Sequence, residues 1–516
     1  MLHYVALCDN LQSTGADAIE TLPAGTHTAF AEKLAAAIRH PEPGFNRLVF
    51  EDGQVLLTLC VGDLKTLLRA QSFLADEVLL PHFEAGNWDR WTLQALMRNC
   101  QRGTLLTIRQ SAPDTTEAFS NLGFDRQPGA DSPLLSAPSP LQFRFNPRWQ
   151  PKASRRHFGA AVRPPATCVV VGAGLAGAAT AASLARRGWR VLVLGAGAAP
   201  ADGASGLPVG LMIPQPSADD SQRSRLLRTG ISMTRQQAAH LLTRDLDWSD
   251  SGVMSHKPGD AAVWLPSGAW IKPARLVQAW LAQPGVRFDG TSQVASVQRV
   301  GAHWQLRDAD QTVLAQAILV VLACAGGSVR LLGENGLQIR SPLIGFHGQV
   351  SWAAQRSSDQ NAFAPNAVNG HGTFVPHVPT AHGPAWFAGA TFTAETQPRL
   401  TTQQAHQANL ARLTKLLPKT AAALADQFET GAVNAWENTR YSTLDRLPLV
   451  GLLKDRNEAT DAPTLCINSG YGSRGLSWSV LCAELLAAKL GGEPFPIEAN
   501  LARALECCRS ALPVRP

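Results

Sequence analysis

Short apolar runs alternating with amphipathic stretches mark out most of the chain. LHYVAL (2–7), VLLTLC (55–60) and TLLTI (104–108) read as strands, and Thr28 to His40 has the spacing of an amphipathic helix. CVVV (168–171) is a β-rich run followed at once by Gly172, Gly174 and Gly177. A small-residue helix is predicted from there to about Arg187, and VLVL (191–194) is the next strand. Further on, AILVVLACAGGS (317–328) reads as a strand entering a glycine-rich turn. NSGYGSRGLSWSVLCAELLAAKL (468–490) reads as a second glycine-rich turn feeding a helix. The uncharged run from Ala166 to Ala185 has about the length of a membrane span. Its Gly, Ala, Ser and Thr content fits a buried strand and helix instead.

These patterns divide the chain into residues 1–130, a Pro-, Ser- and Arg-rich linker over 131–166, and an α/β unit over 167–516 with a long insertion at roughly 245–435. Within the linker, QFRFNPRWQPKASRRHFGAAVRPP carries six cations and no acid. It reads as a solvated connector, or as an RNA-facing strip in which cations interleave with Phe143, Phe145 and Trp149.

The strand, the G-x-G-x-x-G turn and the helix together predict a dinucleotide site. The first glycine allows the tight turn, the second lets the backbone approach a pyrophosphate, and the third lets helix pack on strand. The helix start then offers free N–H groups and a positive dipole end. One element is missing. The second strand ends in Gly195, where an acid ordinarily holds a ribose, and Asp202 is the nearest replacement. That absence speaks against ordinary NAD use and leaves FAD, which is held along its whole length.

Composition changes this picture little. The 516 residues carry a net charge of +6, which suits an anionic partner such as RNA without requiring one. The nine cysteines form no CxxC pair, and the N-terminus lacks the basic start and apolar core of a signal peptide. A cytoplasmic protein with reduced thiols, no membrane segment and no metal site is expected.

GASGLPVG (203–210), GAWIKPARL (268–276), FHGQVSW (346–352), TRYSTLDRLPLVG (439–451) and GSRGLSWSVLCAELLA (472–487) carry a resemblance. GASGLPVGLMIP (203–214), AILVVLACAGGS (317–328), NTRYSTLDRLPLVG (438–451) and NSGYGSRGLSWSVLCAELLAAKL (468–490) are similar, in order along the chain, to the FAD-dependent amine oxidases that include D-amino-acid and glycine oxidases. The whole chain, and the five stretches above most specifically, resembles the family of bifunctional tRNA 5-methylaminomethyl-2-thiouridine biosynthesis proteins. That resemblance implies a Rossmann-like FAD-binding domain with an inserted substrate-binding β-sheet domain, preceded by a partial Rossmann-like methyltransferase domain. It implies FAD as cofactor and tRNA as partner. The implied reaction oxidises the carboxymethylaminomethyl group of a wobble uridine, giving aminomethyluridine and glyoxylate. Arg440 then falls in the carboxylate-binding segment and Arg474 in the turn before the last helix, both as catalytic-site residues. Gly172, Gly174, Gly177, Ala204, Ser205, Gly206, Gly472, Ser473, Gly475 and Leu476 fall where the family holds its flavin.

The front region departs from the family pattern. LHYVALCDN resembles the family's second strand, so the first strand and its glycine loop are not found. Cys8 stands where the family has its ribose acid, beside Asp9, and Pro81, His82 and Phe83 stand where it has Asp-Gly-Phe. Loss of the methyltransferase step is therefore expected. Two other readings stay open: a free amino-acid or small-amine oxidase, and a non-catalytic RNA-binding or scaffold protein.

Overall fold

A computed structural model describes residues 1–8, 32, 34, 42–83, 88–111, 115–127, 140–149, 164–256, 261–333, 339–453 and 463–509. The chain forms two compact units. One comprises Met1, Arg163–Ala487 and Leu501–Pro516, and the other Leu2–Val162 and Ala488–Asn500.

The larger unit is built on a six-stranded sheet in the order Val286–Asp289, Arg190–Leu194, Thr167–Val171, Leu319–Leu322, Thr464–Ser469, Leu449–Leu452. All neighbours run parallel except the last pair. Val169, Val170, Val193 and the whole Leu319–Leu322 strand are buried, as the continuous apolar runs require of a sheet covered on both faces. Helices Leu175–Ala185 and Gly475–Gly491 pack close together, both starting at the carboxyl ends of these strands.

Glu484 fixes that helix pair. It is 3% exposed and accepts from Ser183 Oγ at 2.6 Å, from Arg186 at 2.7 Å and from Arg187 at 3.0 Å. Burial opposes its charge, but the two guanidinium groups more than offset this and hold the carboxyl far below its ordinary value of 4.5. A depressed native value means the contribution is full above pH 4.5 and weakens as the pH falls below it. Glu484→Gln should destabilise the protein by about 3–5 kcal/mol, because two buried guanidiniums lose their counter-charge. A urea midpoint at pH 7 within error of the parent would refute this.

A second, mostly antiparallel sheet of eight strands carries Val253–Ser255, Val263–Leu265, Ile344–Ala354, the three strands between Ala367 and Gly389, Thr393–Ala394 and Asn434–Ser442. Helices Thr402–Leu416 and Pro418–Glu429 contribute Leu413, Leu416, Ala421 and Leu424 to a core with Phe374 and Trp386. The insertion expected over 245–435 is therefore not continuous. Val286–Asp289 and Leu319–Leu322 lie inside that range and belong to the nucleotide sheet, because the chain returns to it to add parallel strands before leaving again.

The smaller unit holds a three-stranded sheet, Leu2–Cys8, Val55–Val61 and Gly44–Phe50, and a four-stranded one, Ala75–Phe83, Cys100–Ser111, Leu141–Phe145 and Phe124–Arg126. The three strands read from the sequence are present, whereas the helix expected over Thr28–His40 lies almost wholly outside the described residues. The linker reading needs correction at its centre. LQFRF alternates, so as a strand it turns one face inward, and Phe143 and Phe145 are 0% and 1% exposed in a cluster with Phe83, Phe119 and Phe124. They cannot interleave with cations on an RNA-facing strip; Arg144 and Trp149 remain exposed. The C-terminal stretch 488–500 joins this unit, where Arg47 donates to the Pro494 carbonyl at 2.7 Å.

Candidate active site

The carboxyl ends of four parallel strands open into one cavity of about 490 Å³, lined there by Val171, Leu194, Ala323 and Ser469. This is where a doubly wound sheet places ligands. Gly172, with φ of +112°, makes the turn after the first strand. A Cβ there would lie 2.6 Å from the Ala323 carbonyl oxygen, so neither the angle nor the space admits a side chain. A Cβ at Gly177 would fall on the Gly172 carbonyl oxygen, which is the close helix–strand packing expected of the third glycine. Gly174 faces the cavity and meets only Ser205 Oγ, which accepts a hydrogen bond from the Leu175 N–H at 2.9 Å.

Gly195 also has a physical reason. A Cβ there would meet the Phe288 ring at 2.8 Å and Ala173 Cβ at 3.3 Å, leaving no room for an acid. Asp202, Ser292 and Gln293 line the same cavity and supply polar groups that the strand end lacks. Ser292 and Gln293 carry no sequence signal, because they follow a different strand.

Gly472, Ser473, Gly475 and Leu476 line the same cavity. A Cβ on Gly475 would touch Leu175 Cδ1 at 2.9 Å, so the two helix starts meet. Tyr471 is held there by its hydroxyl, which donates to Asn468 Oδ1 at 2.8 Å; burial pushes its phenol well above the usual range, so it stays protonated. The Asn468 amide donates in turn to Thr180 Oγ1 at 2.9 Å. Tyr441, the other tyrosine of the cavity, donates to Glu395 at 2.8 Å.

Arg440 lines the cavity from the strand Asn434–Ser442. It sits opposite Phe346 in register, donates to the Thr391 carbonyl at 3.3 Å, and lies 5.4 Å from the centre of the Phe392 ring. Gly348 on the neighbouring strand leaves the space its guanidinium occupies, which explains that glycine in FHGQVSW. Burial lowers the Arg440 pKa, yet no carboxylate pairs with it among the described residues. Asp445, the nearest acid in sequence, is taken by Arg509 at 2.8 and 3.0 Å. Half-buried and without a counter-ion, Arg440 is equipped to receive a carboxylate.

Of the other sequence-selected residues, Ala204 and Ser205 line the cavity, while Gly206 lies behind it against the Ala201 carbonyl. Arg474 is not among the lining residues although Ser473 and Gly475 on either side of it are.

The cavity runs from the glycine turn and two helix starts to a cation, and its cradle would be filled by any Cβ at Gly172. These residues fit a flavin dinucleotide.

Comparison with known proteins agrees. The FAD dependent oxidoreductase family matches residues 167–262 and 255–489. The chain is 44% identical to the tRNA 5-methylaminomethyl-2-thiouridine biosynthesis bifunctional protein of Albidiferax ferrireducens, over 99% of this chain and 88% of that protein. It is 42% identical to the protein of the same name from Polaromonas naphthalenivorans, over 92% and 80%. In fold it is similar to glycine oxidase from Geobacillus kaustophilus, with a TM-score of 0.53 at 19% identity over 66% of this chain and 98% of that one. L-proline dehydrogenase from P. horikoshii gives 0.51 at 16% identity, over 63% and 92%.

Proposed function

Because this chain belongs to the family of tRNA 5-methylaminomethyl-2-thiouridine biosynthesis bifunctional proteins and carries its FAD dependent oxidoreductase domain, we propose that it oxidises the carboxymethylaminomethyl group of a tRNA wobble uridine. The observation that carries the reading is an acid-free Arg440 inside a dinucleotide-shaped cavity. The substrate side chain ends in an N-linked glycine, so it brings one carboxylate to a site that offers one unpaired guanidinium.

Gly172 and Gly174 with the start of helix Leu175–Ala185 would hold the pyrophosphate of FAD, Gly177 letting that helix pack on the strand, and Asp202, Ser292 and Gln293 would take its ribose hydroxyls. The chemistry supplied by a flavin there is acceptance of a hydride from the C–H beside the substrate nitrogen, after which water hydrolyses the substrate imine to aminomethyluridine and glyoxylate. Arg440 fixes the carboxylate and with it the direction of that C–H. Tyr471, kept protonated by burial and with its hydroxyl hydrogen given to Asn468, brings no negative charge to the cavity. No strong base is required, since the reacting amine is neutral. Among the described residues no helix is long and apolar enough to cross a membrane. We place the reaction with its tRNA in the cytoplasm.

The test is spectroscopic. The purified protein should be yellow, and anaerobic addition of tRNA bearing the carboxymethylaminomethyl group should bleach it while glycine does not. Bleaching by small amines alone would transfer the activity to a free amino-acid oxidase. A protein that stays colourless with added FAD would remove the reading altogether.

We further infer that the smaller unit does not transfer methyl groups. Cys8 ends its strand as a thiol donating to the Cys60 carbonyl at 3.6 Å, and a thiol is a poor acceptor for ribose hydroxyls. Phe83 is buried in the aromatic cluster, with Pro81 and His82 exposed beside it. Incubation with labelled S-adenosylmethionine and aminomethyluridine tRNA should give no transfer. Stoichiometric labelling would overturn this.

A further inference from the structure

Three arginines outside the cavity form a group that the oxidation does not use. Arg474 ends the turn Gly472–Arg474, and Arg446 lies in the turn that follows strand Asn434–Ser442. A bridge between Ser442 and Tyr471 holds those two turns side by side. Arg223 is in the first turn of helix Gln222–Leu241. Seven to eleven residues after Arg223, that helix packs on the start of helix Gly475–Gly491: Thr234 Oγ1 donates to the Leu476 carbonyl at 2.8 Å, and Gly230 has no room for a Cβ against the Ser477 carbonyl.

The three guanidinium groups repel one another. Burial together with Arg223 and Arg446 brings Arg474 down to about 10, and burial with Arg446 lowers Arg223. Two acids nearby in sequence are engaged elsewhere. Asp445 is held by Arg509, and Asp220 by Arg228 at 2.9 and 3.2 Å. Among the described residues, none of the three arginines forms an ion pair. The Arg223 Nε is buried with no hydrogen-bond partner, whereas Arg446 is exposed, so the group is open to solvent on one side. Three cations held together without an acid cost stability unless an anion joins them. The substrate carboxylate is not that anion, since Arg440 meets it within the cavity and Arg474 lies outside the lining.

We propose that Arg223, Arg446 and Arg474 bind a backbone phosphate of the RNA chain that carries the substrate uridine. The proposal rests on the reading of the cavity as a tRNA-oxidising site. A nucleotide within RNA has a phosphate on each side, and planar guanidiniums grip such a group through paired hydrogen bonds. The site would position the strand and make no distinction between bases.

Two substrates separate the possibilities: the carboxymethylaminomethyl nucleoside, which has no phosphate, and an anticodon stem-loop containing it. Arg223→Gln, Arg446→Gln and the double variant should keep their flavin. Each single change should raise KM for the stem-loop about tenfold and leave the nucleoside within about twofold. The log–log salt dependence should become shallower by about 0.7 once one phosphate is no longer neutralised. Equal loss on both substrates, or none on either, would overturn the site. Loss of flavin would assign the cations to the FAD pyrophosphate instead. If the parent protein oxidises neither substrate, the functional reading fails. Fluorescence anisotropy with an unmodified stem-loop then still decides the phosphate site, since weaker binding by the variants supports it and unchanged binding removes it.

Discussion

Arg440→Ala is expected to leave a yellow, folded protein whose turnover of the carboxymethylaminomethyl substrate falls by about 10²–10³-fold. The guanidinium is half-buried, touches one carbonyl and one aromatic ring, and has no acid partner among the described residues. Its removal therefore strands no buried carboxylate, and stability should change little. What disappears is the charge that fixes the substrate's carboxylate and, through it, the C–H that must face the cofactor. A merely electrostatic role would be largely restored by Arg440→Lys. A positioning role would not, because an ammonium lacks the planar fork that engages both carboxylate oxygens. Lysine should thus recover KM more than kcat. The check is steady-state kinetics beside the flavin spectrum for both variants. Near-parental kcat/KM in the alanine variant would remove Arg440 from the site.

What the sequence made readable depended on distance along the chain. The strand, glycine turn and helix at 167–187 are local, and their residues specify one another over a few positions, so the fold and the nucleotide loop follow directly. The surroundings of Arg440 are not local. Gly348 comes from the neighbouring strand and Phe392 from the segment just before Thr393–Ala394, and only the register that sets Phe346 opposite Arg440 reveals why the first has no side chain. The missing ribose acid at Gly195 reads as a defect until Phe288 and Ala173 are seen to fill the position. The buried LQFRF strand was hidden by its Pro-, Ser- and Arg-rich neighbours, because composition averages over a period-2 pattern that only five residues carry. Arg474 shows the converse limit. A motif fixes its place in the turn, whereas the neighbouring cations Arg223 and Arg446 come from elsewhere in the chain.

The glycine turn gives the other large expected effect, and two of its glycines should fail in different ways. At Gly174 a methyl group would meet only Ser205 Oγ, 2.8 Å away at the end of a side chain that can rotate. The apoprotein should therefore fold, with a urea midpoint close to the parent's. The methyl would, however, stand between the helix N–H groups and an approaching pyrophosphate. FAD affinity should fall by about 100-fold, the value of two charge-assisted hydrogen bonds broken or lengthened. At Gly177 the methyl would land on the Gly172 carbonyl. Gly172 cannot retreat, since its own φ is positive and the Ala323 backbone lies behind it. Gly177→Ala should accordingly destabilise even the apoprotein, by about 3 kcal/mol or more, with flavin loss as a consequence of unfolding. Urea titration of both apoproteins with FAD binding followed by flavin fluorescence separates the two. Equal destabilisation by both changes would mean that Gly174 is a packing residue. An unaffected FAD affinity in Gly174→Ala would mean that the phosphates do not pass this turn, and the cofactor's place in the cavity would have to be redrawn.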